Sequence, residues 1–157
     1  MSHATTPSRF TVLEAHTAAE QVAACEVQFA VYVGDGYVDA ERAAANLKPE
    51  TLANGGTQLI ACRPDGAVVG AVLYLHAGSA LQQVAVPGER EIRMLGVARE
   101  ARGEGVGEAL VRNCIDRARS DGATALVLWT RPTMEAAQRL YARLGFMPMG
   151  EPYAQAG

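Results

Sequence analysis

Apolar residues recur at helical spacing in the first part of the chain. Residues 17–32 carry such a stripe, formed by Val22, Cys25, Phe29 and Tyr32. A Gly-Asp-Gly sequence at 34–36 breaks this predicted helix. Asp39 then has the character of an N-cap, which predicts a second, short helix through residue 45.

Two more amphipathic stretches follow in the second half. The first predicts a helix over residues 105–120, with a stripe of Val106, Leu110, Cys114 and Ala118 and with Gly122 just beyond its end. Pro132 opens the second predicted helix and Gly145 closes it. Its apolar face consists of Met134, Ala137, Leu140, Tyr141 and Leu144.

Short alternating or wholly apolar runs between these helices predict strands. They cover residues 10–14, 57–63, 67–75, 91–97 and 125–129, and a final strand is expected from Phe146. The sequence Pro64-Asp65-Gly66 predicts a hairpin turn, and residues 54–56 and 76–88 are predicted loops. The resulting order, β-α-α-β-β-β-α-β-α-β, is that of a mixed α/β protein.

Composition narrows the class of protein. A chain of 157 residues is expected to form a single domain, with residues 1–8 as a loose tail. The net charge of −3 and the lack of a basic stripe argue against nucleic acid as a partner. No apolar run is long enough to span a bilayer, and no signal peptide is visible. Three cysteines without a CxxC pair or metal-ligand spacing favour the cytoplasm and predict no metal.

The strand at 91–97 leads into a segment rich in glycine and then into a helix. We name Arg102-Gly103-Glu104-Gly105-Val106-Gly107 the glycine loop. Unpaired N–H groups and the helix dipole make such a helix start a phosphate site. Glu108 stands where a dinucleotide fingerprint has its third glycine, and no lysine followed by serine or threonine completes a P-loop. A plain strand-to-helix turn remains an alternative.

The surroundings of the glycine loop favour a ligand. Arg99 and Arg102 add positive charge, and a helix further along ends in Leu140-Tyr141-Ala142-Arg143-Leu144-Gly145-Phe146. In this ending and in its strand-loop-helix motif, the region 91–146 resembles the GNAT N-acetyltransferase superfamily. The resemblance implies an α/β fold in which a mixed, mostly antiparallel central sheet is flanked by helices. It also implies that the fourth and fifth strands splay apart.

The resemblance implies acetyl-CoA as the co-substrate. Its pantetheine arm would pair with the backbone of Leu95, Gly96 and Val97, and its pyrophosphate would lie on the amides from Arg102 to Glu108. These amides belong to Arg102, Gly103, Glu104, Gly105, Val106, Gly107 and Glu108. Arg143 would meet the 3′-phosphate of CoA, although a solvated helix arginine is the simpler reading of that residue.

The implied reaction is direct attack of a primary amine on the thioester. Because an alkyl amine is almost wholly protonated at neutral pH, a base is needed, and Glu91 is the candidate. Its alternative is a solvated acid at a strand end. Tyr141 is the candidate acid that protonates the thiolate, or a packed core tyrosine. A backbone N–H within residues 95–97 would stabilise the oxyanion.

Two departures from the family pattern affect the acceptor side. Met134 replaces an asparagine common in relatives, and Pro148 and Pro152 resist a full last strand. That strand would then be short, missing or supplied by a second copy in a homodimer.

Tyr32, Tyr37 and Trp129 are the candidates for acceptor binding. Together with Asp35 and Asp39 they would suit a cationic small-molecule or protein amine, although turn chemistry explains both acids. The sequence leaves two rivals to the enzyme. One is a non-catalytic acyl-CoA-binding or sensing module, and the other is a nucleotide-binding protein with an atypical loop.

Overall fold

The computed structural model describes residues 9–149, in five strands, five α-helices and one short 3₁₀ helix, Arg99–Ala101. The strands are β1 Thr11–Glu14, β2 Gly56–Cys62, β3 Val68–Leu75, β4 Arg90–Val97 and β5 Leu126–Val127. The helices are α1 Ala18–Gly34, α2 Ala40–Asn46, α3 Pro49–Gly55, α4 Val106–Ser120 and α5 Glu135–Arg143. The tail predicted at residues 1–8 lies outside the described residues, as does Pro152.

The strands form one sheet in sequence order, and the predicted mixed, mostly antiparallel sheet is confirmed. Neighbours from β1 to β4 pair antiparallel, whereas β4 and β5 pair parallel. That parallel ladder consists of Arg90 opposite Leu126 and Glu91 opposite Val127. Beyond Glu91 the two strands separate, so the expected splay is present.

A β-bulge interrupts β4 three residues after its last pairing with β5. Arg93 pairs with Leu73 and Gly96 pairs with Ala71, so two residues of β4 stand opposite Val72. One of them, Met94, has φ of 62°, an uncommon value for a residue other than glycine.

Two buried glutamine side chains support the bulge. The amides of Gln28 and Gln58 donate to each other at 2.9 Å in both directions, and Gln28 Nε2 also donates to the carbonyl oxygen of Met94 at 3.0 Å. Burying two amide side chains without partners would destabilise the fold, so their mutual hydrogen bonds compensate for their loss of contact with water. The α1 helix thereby fixes the backbone of β4 at its irregular point.

Alternating side chains divide the core into two layers. Leu59, Val72 and Tyr74 point to the face covered by α4, where Leu110 and Cys114 are buried. The opposite face of the same strands packs against α1 to α3 and carries Ile60, Ala71, Leu73 and Leu75. The period of two in β2 and β3 thus separates the layers.

Local capping explains where the first helices begin. Thr17 and Glu20 form a capping box, in which the Glu20 N–H donates to Thr17 Oγ1 at 3.1 Å and the Thr17 N–H donates to Glu20 Oε1 at 3.0 Å. Asp39 accepts the Arg42 N–H at 2.7 Å, which confirms its predicted cap on α2. No helix within residues 9–149 is long and apolar enough to cross a membrane.

Several predicted boundaries were wrong. The loop predicted at 54–56 is the end of α3 and the start of β2. Helix α3 was not predicted because it is short and buries one residue, Leu52, which does not make an apolar stripe. The strand predicted at 125–129 keeps two residues, since β5 leaves β4 there. Helix α5 begins at Glu135 rather than at Pro132, with Met134 as its N-cap. No strand forms at residues 146–149, where Pro148 lacks an N–H; the rest of that prediction lies outside the described residues.

Candidate functional site

A cleft of about 600 Å³ lies where β4 and β5 diverge, bounded by the glycine loop, α5 and the end of α1. Most of the residues selected from the sequence line it: Tyr32, Tyr37, Leu95, Val97, Arg102, Gly103, Gly105, Val106, Gly107, Glu108, Trp129, Tyr141 and Arg143. Glu91, Gly96 and Glu104 are not among its lining residues. The splay therefore brings the candidate phosphate, thioester and acceptor groups to one surface.

The glycine loop presents unpaired backbone donors to the cleft. The first main-chain bond of α4 runs from the Ala109 N–H to the Gly105 carbonyl, and the N–H groups of residues 103–108 have no acceptor within the described chain. The Arg102 N–H, also expected to face the pyrophosphate, instead donates to the Arg99 carbonyl at 3.2 Å. Gly103 and Gly105 both have φ of 84°, and a Cβ built on either would meet no atom within 4 Å. The donors and the open space fit a diphosphate, and the helix dipole favours its charge.

Gly107 is small for a different reason. A Cβ on it would lie 3.2 Å from Leu140 Cδ2 and 3.6 Å from Val97 Cγ2. The missing side chain therefore lets the start of α4 approach α5 and β4 closely. This close packing sets the width of the cleft at its middle.

Ion pairs hold the glycine loop on both sides. Glu104 turns away from the cleft and accepts two hydrogen bonds from Arg63, at the end of β2, each at 2.9 Å. These bonds hold the pKa of Glu104 below its usual range. On the other side, Arg102 and Arg99 contact the two carboxylate oxygens of Asp35 at 2.8 and 3.2 Å. The positive charge expected beside the phosphate is thus already balanced in part by the end of α1.

The exposed edge of β4 is suited to an extended ligand. After Glu91 no β5 partner takes its main-chain groups, while Leu95 and Val97 face the cleft. An extended molecule with amide groups can pair with such an edge as an added strand would. Gly96 faces α1, and a Cβ there would lie 3.5 Å from Val31, an ordinary contact distance, so packing against α1 does not by itself require glycine.

Aromatic residues form the middle and far side of the cleft. Tyr141 packs edge-on against Phe146 with ring centroids 5.5 Å apart, and burial raises the pKa of its hydroxyl well above the ordinary value. That hydroxyl has no hydrogen-bond partner within residues 9–149. Tyr32 and Tyr37 form a second edge-on pair at 5.8 Å, and burial raises the pKa of Tyr32 to about 12. Tyr141 and Tyr32 therefore stay protonated at neutral pH.

Glu91 is placed differently from its expected role. Its side chain is fully buried, and its carboxylate accepts the N–H groups of Gln83, Val84 and Ala85 at 2.9–3.0 Å. These bonds fix the loop between β3 and β4. Such contacts favour a structural function, and the assignment of Glu91 as the base stays a prediction.

Sequence reasoning missed three features of the site. They are the bulge at Met94, the half-buried Arg93 in the cleft wall, and Arg131 beside Trp129, whose guanidinium carbon lies 5.9 Å from the ring centroid. Arg93 had a visible signal, because it is a charged residue inside a predicted strand, between the apolar Ile92 and Met94. Met134, expected as core, lies at the start of α5 and lines the cleft.

The arrangement is a splayed parallel strand pair whose cleft begins at a helix N-terminus. A model of the acetyltransferase (GNAT) family matches residues 14–146. The chain belongs to this family. The match includes every element from α1 to α5, so the GNAT fold inferred from the region 91–146 extends over the described structure.

Curated relatives of this GNAT chain are acetyltransferases. N-acetyltransferase 8 of Rattus norvegicus is 29% identical over 111 residues, which are 69% of this chain and 48% of that protein. N-alpha-acetyltransferase 30 of Schizosaccharomyces pombe is 35% identical over 81 residues, 50% of this chain and 49% of that protein. The chain thus spans about half the length, or less, of the curated relatives it matches.

Solved structures share the fold. A transcriptional regulator from Bacillus halodurans C-125 superposes with a TM-score of 0.70 at 21% identity, covering 94% of this chain and 99% of that one. AAC(6')-Iy, solved in complex with the bisubstrate analog CoA-S-monomethyl-acetylneamine, superposes with a TM-score of 0.72 at 15% identity, covering 96% and 99%. At these identities the likeness is one of fold.

Proposed function

We propose that this GNAT protein transfers an acetyl group from acetyl-CoA to a primary amine, by direct attack while both substrates are bound. The observation that carries the proposal is the continuity of the cleft. It leads from the unpaired amides of residues 103–108, along the open edge of β4, to the Tyr141 hydroxyl. The structural neighbour AAC(6')-Iy, solved with a CoA-containing bisubstrate analog, supports CoA as the ligand of such a cleft.

Each part of the cleft has a role in the proposal. The glycine loop binds the pyrophosphate through its backbone, and the β4 edge holds the pantetheine arm. Acetyl-CoA supplies an activated thioester, and a β4 amide within residues 95–97 donates to the oxygen that becomes negative. Arg143, exposed at the end of α5, is proposed to contact the 3′-phosphate.

Tyr141 is the proposed acid. Its hydroxyl lies in the cleft and its raised pKa keeps the proton available at neutral pH. For the base we keep Glu91 as a hypothesis, with the proton reaching it through water. The buried position of its carboxylate in the β3–β4 loop makes this the weaker assignment, and an E91Q variant tests it.

Steady-state release of free thiol from acetyl-CoA over a panel of primary amines tests the activity. We expect release that depends on the amine and saturates with it. Acetyl-CoA binding without amine-dependent turnover would instead favour an acyl-CoA-binding or sensing module. A thermal-shift comparison of acetyl-CoA with ATP and NAD tests the alternative of a nucleotide-binding protein. Stabilisation by ATP or NAD alone would overturn the CoA assignment.

A further inference from the structure

The acidic residues of the cleft are already paired. Asp35 contacts Arg99 and Arg102, and Glu108 accepts from Arg112 at 3.0 Å. Asp39, the other acid expected near the acceptor, caps α2. Within residues 9–149, therefore, each of these acidic side chains already has a charged or backbone partner.

Arg93 is a positively charged residue of the same cleft. It is half-buried in the cleft wall, and one of its N–H groups donates to the Leu81 carbonyl at 3.1 Å. Within residues 9–149 no ion pair joins its guanidinium to a carboxylate; Glu91 accepts loop amides instead, and its charge reaches Arg93 only from a longer distance. Burial lowers the pKa of Arg93, a sign that its charge is poorly solvated. The other N–H groups of Arg93 are accessible to solvent. Among the described residues, the fully buried side-chain polar atom without a partner is Trp129 Nε1, and none of the Arg93 nitrogens is of that kind.

Arg131 approaches the same place from the segment after β5. Its guanidinium stands over the Trp129 ring, whose Nε1–H is buried and has no acceptor among the described residues. Both arginines act on the Tyr32 hydroxyl, where their charges lower the pKa against the larger effect of burial. Tyr32, Arg93 and Trp129 therefore line the same cleft, and Arg131, which is not itself a lining residue, lies beside the Trp129 ring.

We propose that the acceptor is a small amine that carries a carboxylate close to its amino group, as an α-amino acid does, and that Arg93 binds this carboxylate with Arg131 as a second contact. A planar guanidinium matches a carboxylate through two parallel hydrogen bonds. A partly desolvated cation also gains most from an anionic partner. The inference rests on the proposed amine acetylation and specifies its substrate class.

The test compares each amino acid with its own α-amide. Phenylalanine and leucine are measured against phenylalaninamide and leucinamide, with spermidine as a polycation, through kcat/KM at saturating acetyl-CoA. We expect kcat/KM of each amino acid to exceed that of its amide by about tenfold or more, because the amide cannot form the buried ion pair with the arginine. The amide's amine is more easily deprotonated, so simple reactivity works against this result.

Variants then locate the effect. Arg93→Met should reduce the acid-to-amide ratio, whereas Arg93→Lys should retain part of it, and acetyl-CoA affinity measured by calorimetry should be unchanged in both. Arg119→Met, which removes a largely exposed arginine from the far end of α4, is the matched control for loss of charge. The wild-type ratio needs no variant, so the test does not depend on how well Arg93→Met folds.

The outcomes separate the two proposals. Acetylation of amides or spermidine at least as fast as of the amino acids would overturn the carboxylate inference and leave the acetyltransferase proposal standing. An unchanged ratio in Arg93→Met would remove Arg93 from that role. Absence of acetylation of every amine, with acetyl-CoA bound, would overturn both.

Discussion

At the scale of single residues, the site depends more on backbone conformation than on reactive side chains. Gly103 and Gly105 adopt φ of 84°, and the N–H groups that follow them are the proposed phosphate ligands. Met94 provides the other irregular conformation, in the wall opposite. Among side chains, Tyr141 has the most specific proposed role, that of the acid.

Gly105→Asp should weaken acetyl-CoA binding by about tenfold or more, roughly 1.4 kcal/mol, because it places bulk and negative charge where the pyrophosphate lies. Calorimetric titration with acetyl-CoA measures it. Gly66→Asp is a matched control, since Gly66 has φ of 92°, has open space around it and lies in the β2–β3 turn. Both variants carry the same backbone strain, so an equal loss of affinity in the two would contradict the placement.

Tyr141→Phe should lower kcat by about 100-fold, the low end for a general acid, because a thiolate with an ordinary pKa near 8.5 leaves partly unaided. The affinity for acetyl-CoA and the melting temperature should change little, since the ring keeps its contact with Phe146. Pre-steady-state and steady-state thiol release measure the effect. Tyr37→Phe removes a hydroxyl elsewhere in the cleft, and an equal decrease there would argue against a specific acid at Tyr141.

At the scale of elements, β4 organises the molecule. Its first half joins β5, its middle bulges, and its last part borders the cleft. Glu91 and Arg93, two residues apart, both hold the loop between β3 and β4, through its amides and through the Leu81 carbonyl. Strand β4 therefore fixes the loop that precedes it as well as bordering the cleft.

Glu91→Gln should lower the free energy of unfolding by about 2 kcal/mol, because an amide NH₂ would face backbone donors that a carboxylate now accepts. Urea unfolding measures this change. Glu89→Gln is the control, since Glu89 accepts a single loop N–H, that of Val86, at an exposed site. A stable Glu91→Gln protein whose turnover falls most at low pH would instead support Glu91 as the base.

The sequence allowed most elements of this fold to be predicted, because their signals are local. The capping residue Asp39, the Pro64-Asp65-Gly66 turn and the stripe of α4 each depend on neighbours a few residues away. The loop amides and Tyr141 could be predicted through the family motif. Other features could not be predicted, because they depend on contacts between segments distant in the sequence. They are the partners of Asp35 and Glu91, the bulge in β4, and the positions of Arg93 and Arg131 near the cleft.

At the scale of the whole molecule, two layers of helices enclose a sheet whose interior holds several ionisable groups in their uncharged forms. Burial raises the pKa of Cys114 to about 12 and that of Tyr32 to about 12. Burial is also the main cause of the raised pKa of Tyr74, whose hydroxyl donates to Asp121 at 2.6 Å. In the unfolded chain these groups would ionise at their ordinary values.

The stability of the protein should therefore fall in alkaline solution. The contribution of Cys114 is complete below pH 9, its ordinary pKa, and is lost as the pH rises towards 12. The contribution of Tyr32 is lost as the pH rises from 10, its ordinary pKa, towards 12. In both cases the folded state binds more protons, so the free energy of unfolding decreases with pH. Urea unfolding in reducing buffer between about pH 8 and 11 measures the decrease. Cys114→Ala should flatten its first part, and a slope equal to that of the wild type would contradict this account.

The bulge at Met94 has a consequence for insertions and deletions. Removing Met94 would make the pairing of β4 with β3 regular while leaving Ile92, Leu95 and Val97 on the α4 side of the sheet. The shortened chain would also lose a left-handed residue that costs about 1–2 kcal/mol. We expect this one-residue deletion to fold and to unfold at a similar or higher temperature, yet to acetylate poorly, because a straightened β4 no longer turns its edge from β5. In this GNAT chain a single extra residue in β4 would then account for the divergence of β4 from β5.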